Sequence, residues 1–342
     1  MIMSTPSLSI CIATFKRAAF IAETLDSIVP QLSDDVELLV VDGASPDDTE
    51  SVMRRYIERH PEVIYFRQAE NGGVDGDYDN AVQYARGAYC WLMTDDDLLK
   101  PDAVQRVLAA LEQKPDLVMV NTELRNANLQ ACINRRLNPI QEDRTYSASQ
   151  FEDFFRDAAG HMCFIGTVIV RRALWLERER KRYYGTLFIH VGILLQKPLE
   201  SVSMIAEPLI VARFGNAMWT PRSFEIWMKK LPDLIWSFDT VGAETKRQVI
   251  ARHPAHSLRE LLVQRAIGAY DSSSYHNVVE ASCKGARRWV YRALAFAPER
   301  PLNTALALYF RTRGERARLT SYLLRLSKSA TPLTRWLTRD LA

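Results

Sequence analysis

A chain of 342 residues, 47% hydrophobic and 25% charged, has an ordinary globular composition, with length for one large domain or two smaller ones, which argues against wholesale disorder. Its five cysteines are scattered and form no C-x-x-C pair, so neither a disulfide scaffold nor a structural zinc site is expected, and a reducing cytosol fits. The net charge of +3 is uneven: residues 281–342 hold thirteen Lys and Arg against three acids, a formal +10, and the first 280 residues carry −7.

The opening MIMSTPSLSICIATF lacks the basic and long apolar regions of a signal peptide. No run approaches the roughly 18 uncharged apolar residues of a membrane-spanning helix. The expectation is a cytoplasmic protein whose basic tail meets an anionic partner, a membrane surface or nucleic acid.

LSICIATF (8–15) reads as a buried strand, and residues 18–32 place Phe20, Ile21, Leu25, Ile28 and Leu32 at helical spacing. VELLVVDGAS (36–45) is a second buried strand ending in turn residues, with Asp47 or Asp48 able to cap the helix that follows. VIYF (63–66) is a third strand, Asn71-Gly72-Gly73 a turn, residues 77–86 a helix, and AYCWLM (88–93) a fourth strand. This alternation implies a parallel sheet covered on both faces, whose ligands gather at the carboxyl ends of its strands. The polar clusters Thr14-Phe15-Lys16-Arg17, Asp42-Gly43-Ala44-Ser45 and Asp95-Asp96-Asp97 all fall at such ends. Further along, 101–111 reads as a helix, 117–124 as a strand, 125–150 as irregular and FEDFFRDA as a short helix. FIHVGILLQ (188–196) fits a helix, VSMIAEPLIVAR (202–213) strands around Pro208, and the chain after Ser223 is helical almost throughout.

Three consecutive aspartates after an apolar strand repel one another unless a cation offsets them. An extended backbone would point Asp95 and Asp97 one way and Asp96 the other. Hard divalent cations such as Mg2+ or Mn2+ prefer a few carboxylate oxygens plus substrate phosphates; the plainer alternative is a solvated acidic turn that caps the next helix.

With ICIATFKR, LLVVDGASPDDT, ENGG and YCWLMTDDDLLKPDAV, residues 7–215 resemble the family 2 glycosyltransferases. The resemblance implies an α/β fold of GT-A type, a mostly parallel nucleotide-binding sheet flanked by helices, followed here by a basic helical C-terminal region. It sets a domain at 1–220 (donor half 1–125, acceptor half 126–220) and a membrane-associating or oligomerising region at 221–342. It puts Asp96 at the metal-binding aspartate with Asp97 beside it, and Asp95 against the nucleotide ribose or phosphate. Thr14 and Asp42 would meet the nucleoside, and Gly73 would let backbone approach the nucleotide. Where the family carries an Arg-Asn pair, this chain has Asp79-Asn80, leaving Lys16, Arg17 and Arg213 to supply cations for the diphosphate. Asp75 and Asp77 read as helix caps or donor contacts. The catalytic base of an inverting transfer would fall at Ile189-His190, which makes His190 the candidate; an ordinary packed histidine is the alternative, and Asp157, His161 and Glu207 are substitutes. RFGNAMW (213–219) reads either as a lid with Trp219 on the sugar or as an ordinary loop.

GGVDGDY, TVIVRR and FIHVGILL are most similar to the abequosyltransferase-like branch that builds lipopolysaccharide O-antigen. The implied reaction moves a sugar from a nucleotide-sugar donor to a saccharide acceptor, lipid-linked at the inner face of the cytoplasmic membrane. Basic C-terminal helices would bind that surface or form a homo-oligomer, and no nucleic-acid module accompanies them. A sugar-phosphate nucleotidyltransferase would need an early glycine-rich loop, which ATFKRAAF lacks; a non-catalytic membrane-bound assembly subunit is the alternative from outside the enzymes.

Overall fold

The computed structural model describes residues 5–216 and 222–342, and the chain divides into two compact units. The first takes the chain up to residue 123 together with 136–212 and 238–242, and the second takes 124–135, 213–237 and 243–342.

The first unit is built on a sheet. Strands β1 (Leu8–Thr14), β2 (Val36–Asp42), β3 (Val63–Arg67) and β4 (Tyr89–Met93) pair in parallel in the order β3-β2-β1-β4. Helices α1 (Ile21–Ile28), α2 (Thr49–Arg59) and α3 (Val74–Tyr84) make the crossovers. Every residue of β1, β2 and β4 is buried, as expected of parallel strands covered on both faces, and this is why they read as unbroken apolar runs.

Beyond β4 the direction reverses. After β5 (Leu98–Leu99) and α4 (Ala103–Leu111), the strands β6 (Leu117–Arg125), β7 (Cys132–Asn134), β8 (Arg144–Ser147), β9 (Val168–Arg171) and β10 (Ser201–Arg213) add antiparallel pairs. The sheet is therefore mixed, continuing β4-β9-β6-β10-β5. Helices α5 (Phe151–Met162), α6 (Arg172–Glu177) and α7 (Ile189–Leu195) complete this unit. Pro208 does not split β10, because it lies between the stretch paired to β8 and the stretch paired to β5, where its missing N–H is tolerated.

The second unit takes β7 and the end of β6 that pairs with it, and is otherwise helical: α8 (Ser223–Glu225), α9 (Leu231–Trp236), α10 (Ala243–Val249), α11 (Leu258–Ala266), α12 (Ser272–Ser274), α13 (Ala286–Phe296), α14 (Glu299–Arg311), α15 (Arg318–Leu326) and α16 (Pro332–Leu337). Its core gathers Leu261, Tyr270, Tyr275, Tyr291 and Leu294 in one cluster and Ala266, Ala307, Phe310 and Leu324 in another. Among the described residues no helix is long and apolar enough to cross a membrane.

Candidate active site

Thr14 and Asp42 stand side by side at the ends of β1 and β2. The turn after β1 is tied to the loop after β2: Lys16, in the left-handed region at φ 59°, donates its N–H to Ser45 Oγ at 3.0 Å, and Arg17 donates its own to Thr49 Oγ1 at 3.0 Å. Held in this way, Arg17 meets the acidic turn after β4. Its Nε lies 3.3 Å from Asp95 Oδ1 and its Nη2 3.5 Å from Asp96 Oδ2, and all three side chains are nearly enclosed.

One guanidinium thus serves two carboxylates. Burial and the neighbouring Asp96 push Asp95 up to about 7, against the opposing pull of Arg17 and Thr14. Asp97 behaves differently: it is buried and accepts from Thr94 Oγ1 at 2.5 Å. The alternation expected of an extended chain does not apply, because β4 ends at Met93 and the next residues form a bend. Asp95 and Asp96 thus share the Arg17 guanidinium, while Asp97 accepts from Thr94 within the bend.

Asp42 is wholly buried, accepting from Ser45 N at 2.8 Å through Oδ1 and from Tyr65 Oη at 2.7 Å through Oδ2. Its two oxygens thus hold the β2–α2 loop and β3.

Gly73 precedes α3 at φ 80°, and a Cβ there would meet nothing within 4 Å. The open surface suits close backbone approach, and the positive φ favours glycine. The aspartates of α3 do not cap their own helix. Asp75 accepts from Leu187 N at 2.9 Å and Ile189 N at 3.0 Å, so it caps α7 from across the fold. Asp79 accepts from Trp175 Nε1 at 2.9 Å and Tyr184 Oη at 2.7 Å and pairs with Arg180 at 2.9 Å. Asp77, which the sequence left among the caps, is buried beside Gly43: a Cβ on that glycine would stand 2.4 Å from Asp77 Oδ2. Asp77 Oδ1 has no hydrogen-bond partner. Burial, then the charge of Asp42, push this carboxyl up to about 6.

His190 is 1% exposed, its Nε2 donates to Met162 O at 3.1 Å, its Nδ1 has no hydrogen-bond partner, and burial lowers it to about 4. This enclosure lends the role of base no support. Of the substitutes, His161 is equally buried against Val120 O, and Asp157 and Glu207 are engaged by Arg144 and Arg136 at 2.7 Å. Arg213 ends β10, is grouped with the second unit, and donates to Ala127 O at 2.7 Å. Trp219 lies outside the described residues.

Among the described residues no three His, Cys, Asp or Glu side chains converge as a ready metal cage. Asp95 and Asp96 nevertheless form a donor set of the right chemistry. They are two hard oxygen ligands beside one guanidinium, and a magnesium-type ion commonly takes its remaining ligands from substrate phosphate and water.

Residues 9–177 match the family model of glycosyl transferase family 2. Over 223 residues the chain is 25% identical to abequosyltransferase RfbV of Salmonella typhimurium, covering 61% of this chain and 67% of that protein. It is 31% identical to chondroitin synthase of Escherichia coli over 121 residues, 35% of this chain but only 18% of that one. Among solved structures, S. aureus TarS 1–349 in complex with UDP aligns at TM-score 0.52 and 15% identity, covering 98% of this chain and 90% of that one. A mannosyltransferase of Pyrobaculum calidifontis in complex with GDP-Man and Mn2+ aligns at TM-score 0.52 and 18% identity, covering 98% and 84%. At those identities the structural likeness is one of fold.

Proposed function

We propose, from the premise that this chain is a family 2 glycosyltransferase through its residues 9–177, that it moves a sugar from a nucleotide-sugar donor to a saccharide acceptor with inversion and with the help of Mg2+ or Mn2+. The observation that carries the reading is the Arg17–Asp95–Asp96 cluster at the carboxyl ends of β1 and β4. Such strand ends are where α/β sheets bind their ligands.

In this reading Asp96 and Asp95 are the ligands of the divalent ion. When bound, that ion offsets the charge that develops on the departing nucleoside diphosphate. Arg17, already held between the two carboxylates, is the cation nearest the diphosphate, and the Ser45 and Thr49 hydroxyls fix the turn that carries it. Thr14 lies against Asp95 and lines the same strand end. The open backbone at Gly72 and Gly73 leaves room for the nucleotide. Likeness to the abequosyltransferase supports a lipid-linked surface-polysaccharide intermediate as acceptor and a cytoplasmic site of action at the inner membrane face. A nucleotidyltransferase is set aside by the family match, and a non-catalytic assembly subunit would lack turnover.

Purified protein with Mn2+ and a panel of UDP-, GDP- and CDP-sugars tests this. Expected are metal-dependent release of nucleoside diphosphate from one donor and its loss in Asp96→Ala, with an unchanged melting temperature. Full activity in Asp96→Ala, or after thorough chelation, would overturn the metal assignment; no turnover with any donor would favour the subunit.

A further inference from the structure

Helix α13 has two apolar faces. Tyr291, Leu294 and Ala295 point inward and join the core of the helical unit. The opposite side of a helix packed on one face should be polar. Here Trp289, Ala293 and Phe296, at i, i+4 and i+7, share that outward side. Trp289 is 70% exposed, Phe296 60% and Val290 at the edge 50%, and no ring or cation packs on Trp289 among the described residues. The other exposed indole of this unit, Trp336, is by contrast flanked by Arg311 and Arg339 at 5.1 and 4.8 Å.

The charges beside this apolar strip have one sign. Arg292, one turn from both Trp289 and Phe296, is exposed and forms no ion pair among the described residues, and Arg288 on the same flank is engaged by Glu280. Glu299, the nearest acid beyond the helix, is committed to Arg265 at 3.1 Å and Ser329 at 2.7 Å. The surface therefore joins bulky apolar side chains to unopposed positive charge.

We propose that the outward face of α13 docks on an anionic phospholipid surface, with Trp289 and Phe296 seated at the headgroup–acyl boundary and Arg292 on lipid phosphate. Charge decides between this occupant and a second copy of the chain. A two-fold contact through this face would set the same arginines against one another, whereas an anionic leaflet supplies the missing opposite charge. Indole and phenyl rings favour that interfacial depth, and a helix lying in the interface needs no spanning length. The docking is independent of the sugar chemistry at the strand ends.

Sedimentation of the full chain with vesicles of phosphatidylcholine, with and without 30–40% phosphatidylglycerol, tests this. Binding is expected only to the anionic vesicles and is expected to weaken with salt. Trp289→Ser/Phe296→Ser is expected to lose at least ~10-fold in partitioning and Arg292→Gln about 5-fold, while Trp336→Ser partitions like the parent. Nucleotide-sugar turnover in solution stays at the parent level in all of them. Trp289→Phe guards against misfolding, because it keeps the apolar face: it is expected to bind vesicles normally but to lose most of the quenching of tryptophan emission by brominated lipid. Equal vesicle binding by Trp289→Ser/Phe296→Ser, unchanged bromolipid quenching in Trp289→Phe, or a parent protein that ignores vesicles and forms a dimer that Trp289→Ser/Phe296→Ser abolishes would overturn the proposal.

Discussion

Replacing Asp77 with Asn should stabilise the protein, and only above acidic pH. The Asp77 carboxyl is buried, one of its oxygens has no partner, and its nearest charge is the like charge of Asp42. Folding therefore raises its pKa from 3.8 to about 6. Well below pH 3.8 the group is protonated in both states and contributes nothing. As pH rises through 4 to 6 the unfolded chain releases its proton while the folded chain keeps it, so stability falls, and above about 7 the loss is complete. Each tenfold change in proton affinity is worth about 1.4 kcal/mol, so the wild type carries ~2–3 kcal/mol of strain at pH 7.5 that an isosteric amide does not. Urea denaturation of both proteins at half-unit steps from pH 4.5 to 8 measures the difference, and subtracting the curves cancels every other titrating group. Asn should gain steadily to about pH 7 and then hold level. A difference that stays flat across the range, or that favours Asp at pH 7.5, would refute the claim that this carboxyl is held uncompensated.

Gly43→Ala should cost roughly 1–3 kcal/mol, since its Cβ would stand 2.4 Å from Asp77 Oδ2; Asp77→Ala in the same chain should restore most of the loss, as a thermal-melt double-mutant cycle would show. Asp75→Ala leaves Leu187 N and Ile189 N without their acceptor and should cost about 2 kcal/mol, with amide exchange at the start of α7 speeding before the rest of the sheet unit. His190→Gln should lower the melting temperature while sparing the transfer rate of the folded fraction at 20 °C; a loss above 100-fold with unchanged donor affinity would return this histidine to the chemistry.

The parallel half of the sheet was legible because β1, β2 and β4 are buried on both faces, and such strands must be written as apolar runs. The antiparallel half was not. Strands β5, β7 and β8 span two to four residues, too few for a period to register. Only tertiary pairing lets β10 run unbroken through Pro208. The site divides in the same way. Arg17 and the acidic triplet could be found because charge at the end of a buried strand is conspicuous. Which aspartates face together depended on where β4 stops, and one residue of difference exchanges the faces. Asp42 and His190 carried the right residue types at motif positions, but Ser45 N and Tyr65 Oη engage both oxygens of Asp42, and Met162 O engages Nε2 of His190. Those partners lie 3 to 28 residues away, and no local pattern announces them.

Helix α3 explains why the cation for a diphosphate must come from elsewhere. At the position where the family carries arginine this chain has Asp79, and the carboxylate gathers Trp175, Tyr184 and Arg180. Asp75, one turn earlier, caps α7, and between them Asp77 fills the space that Gly43 leaves free. Three acids on one short helix thus fix the segment 175–189 and the end of β2, a structural use that an arginine, longer and of opposite sign, could not serve. With α3 committed to holding the fold, Arg17, whose turn is anchored twice to the β2–α2 loop, is the cation held against the acidic turn after β4. Arg17→Lys is the decisive variant, since a lysine keeps the charge but cannot span both carboxylates. It should lower nucleoside diphosphate affinity at least ~10-fold in calorimetric titration while leaving the melting temperature within 2–3 °C, a difference of under about 1 kcal/mol. Unchanged affinity would mean that the diphosphate finds its cation on another element.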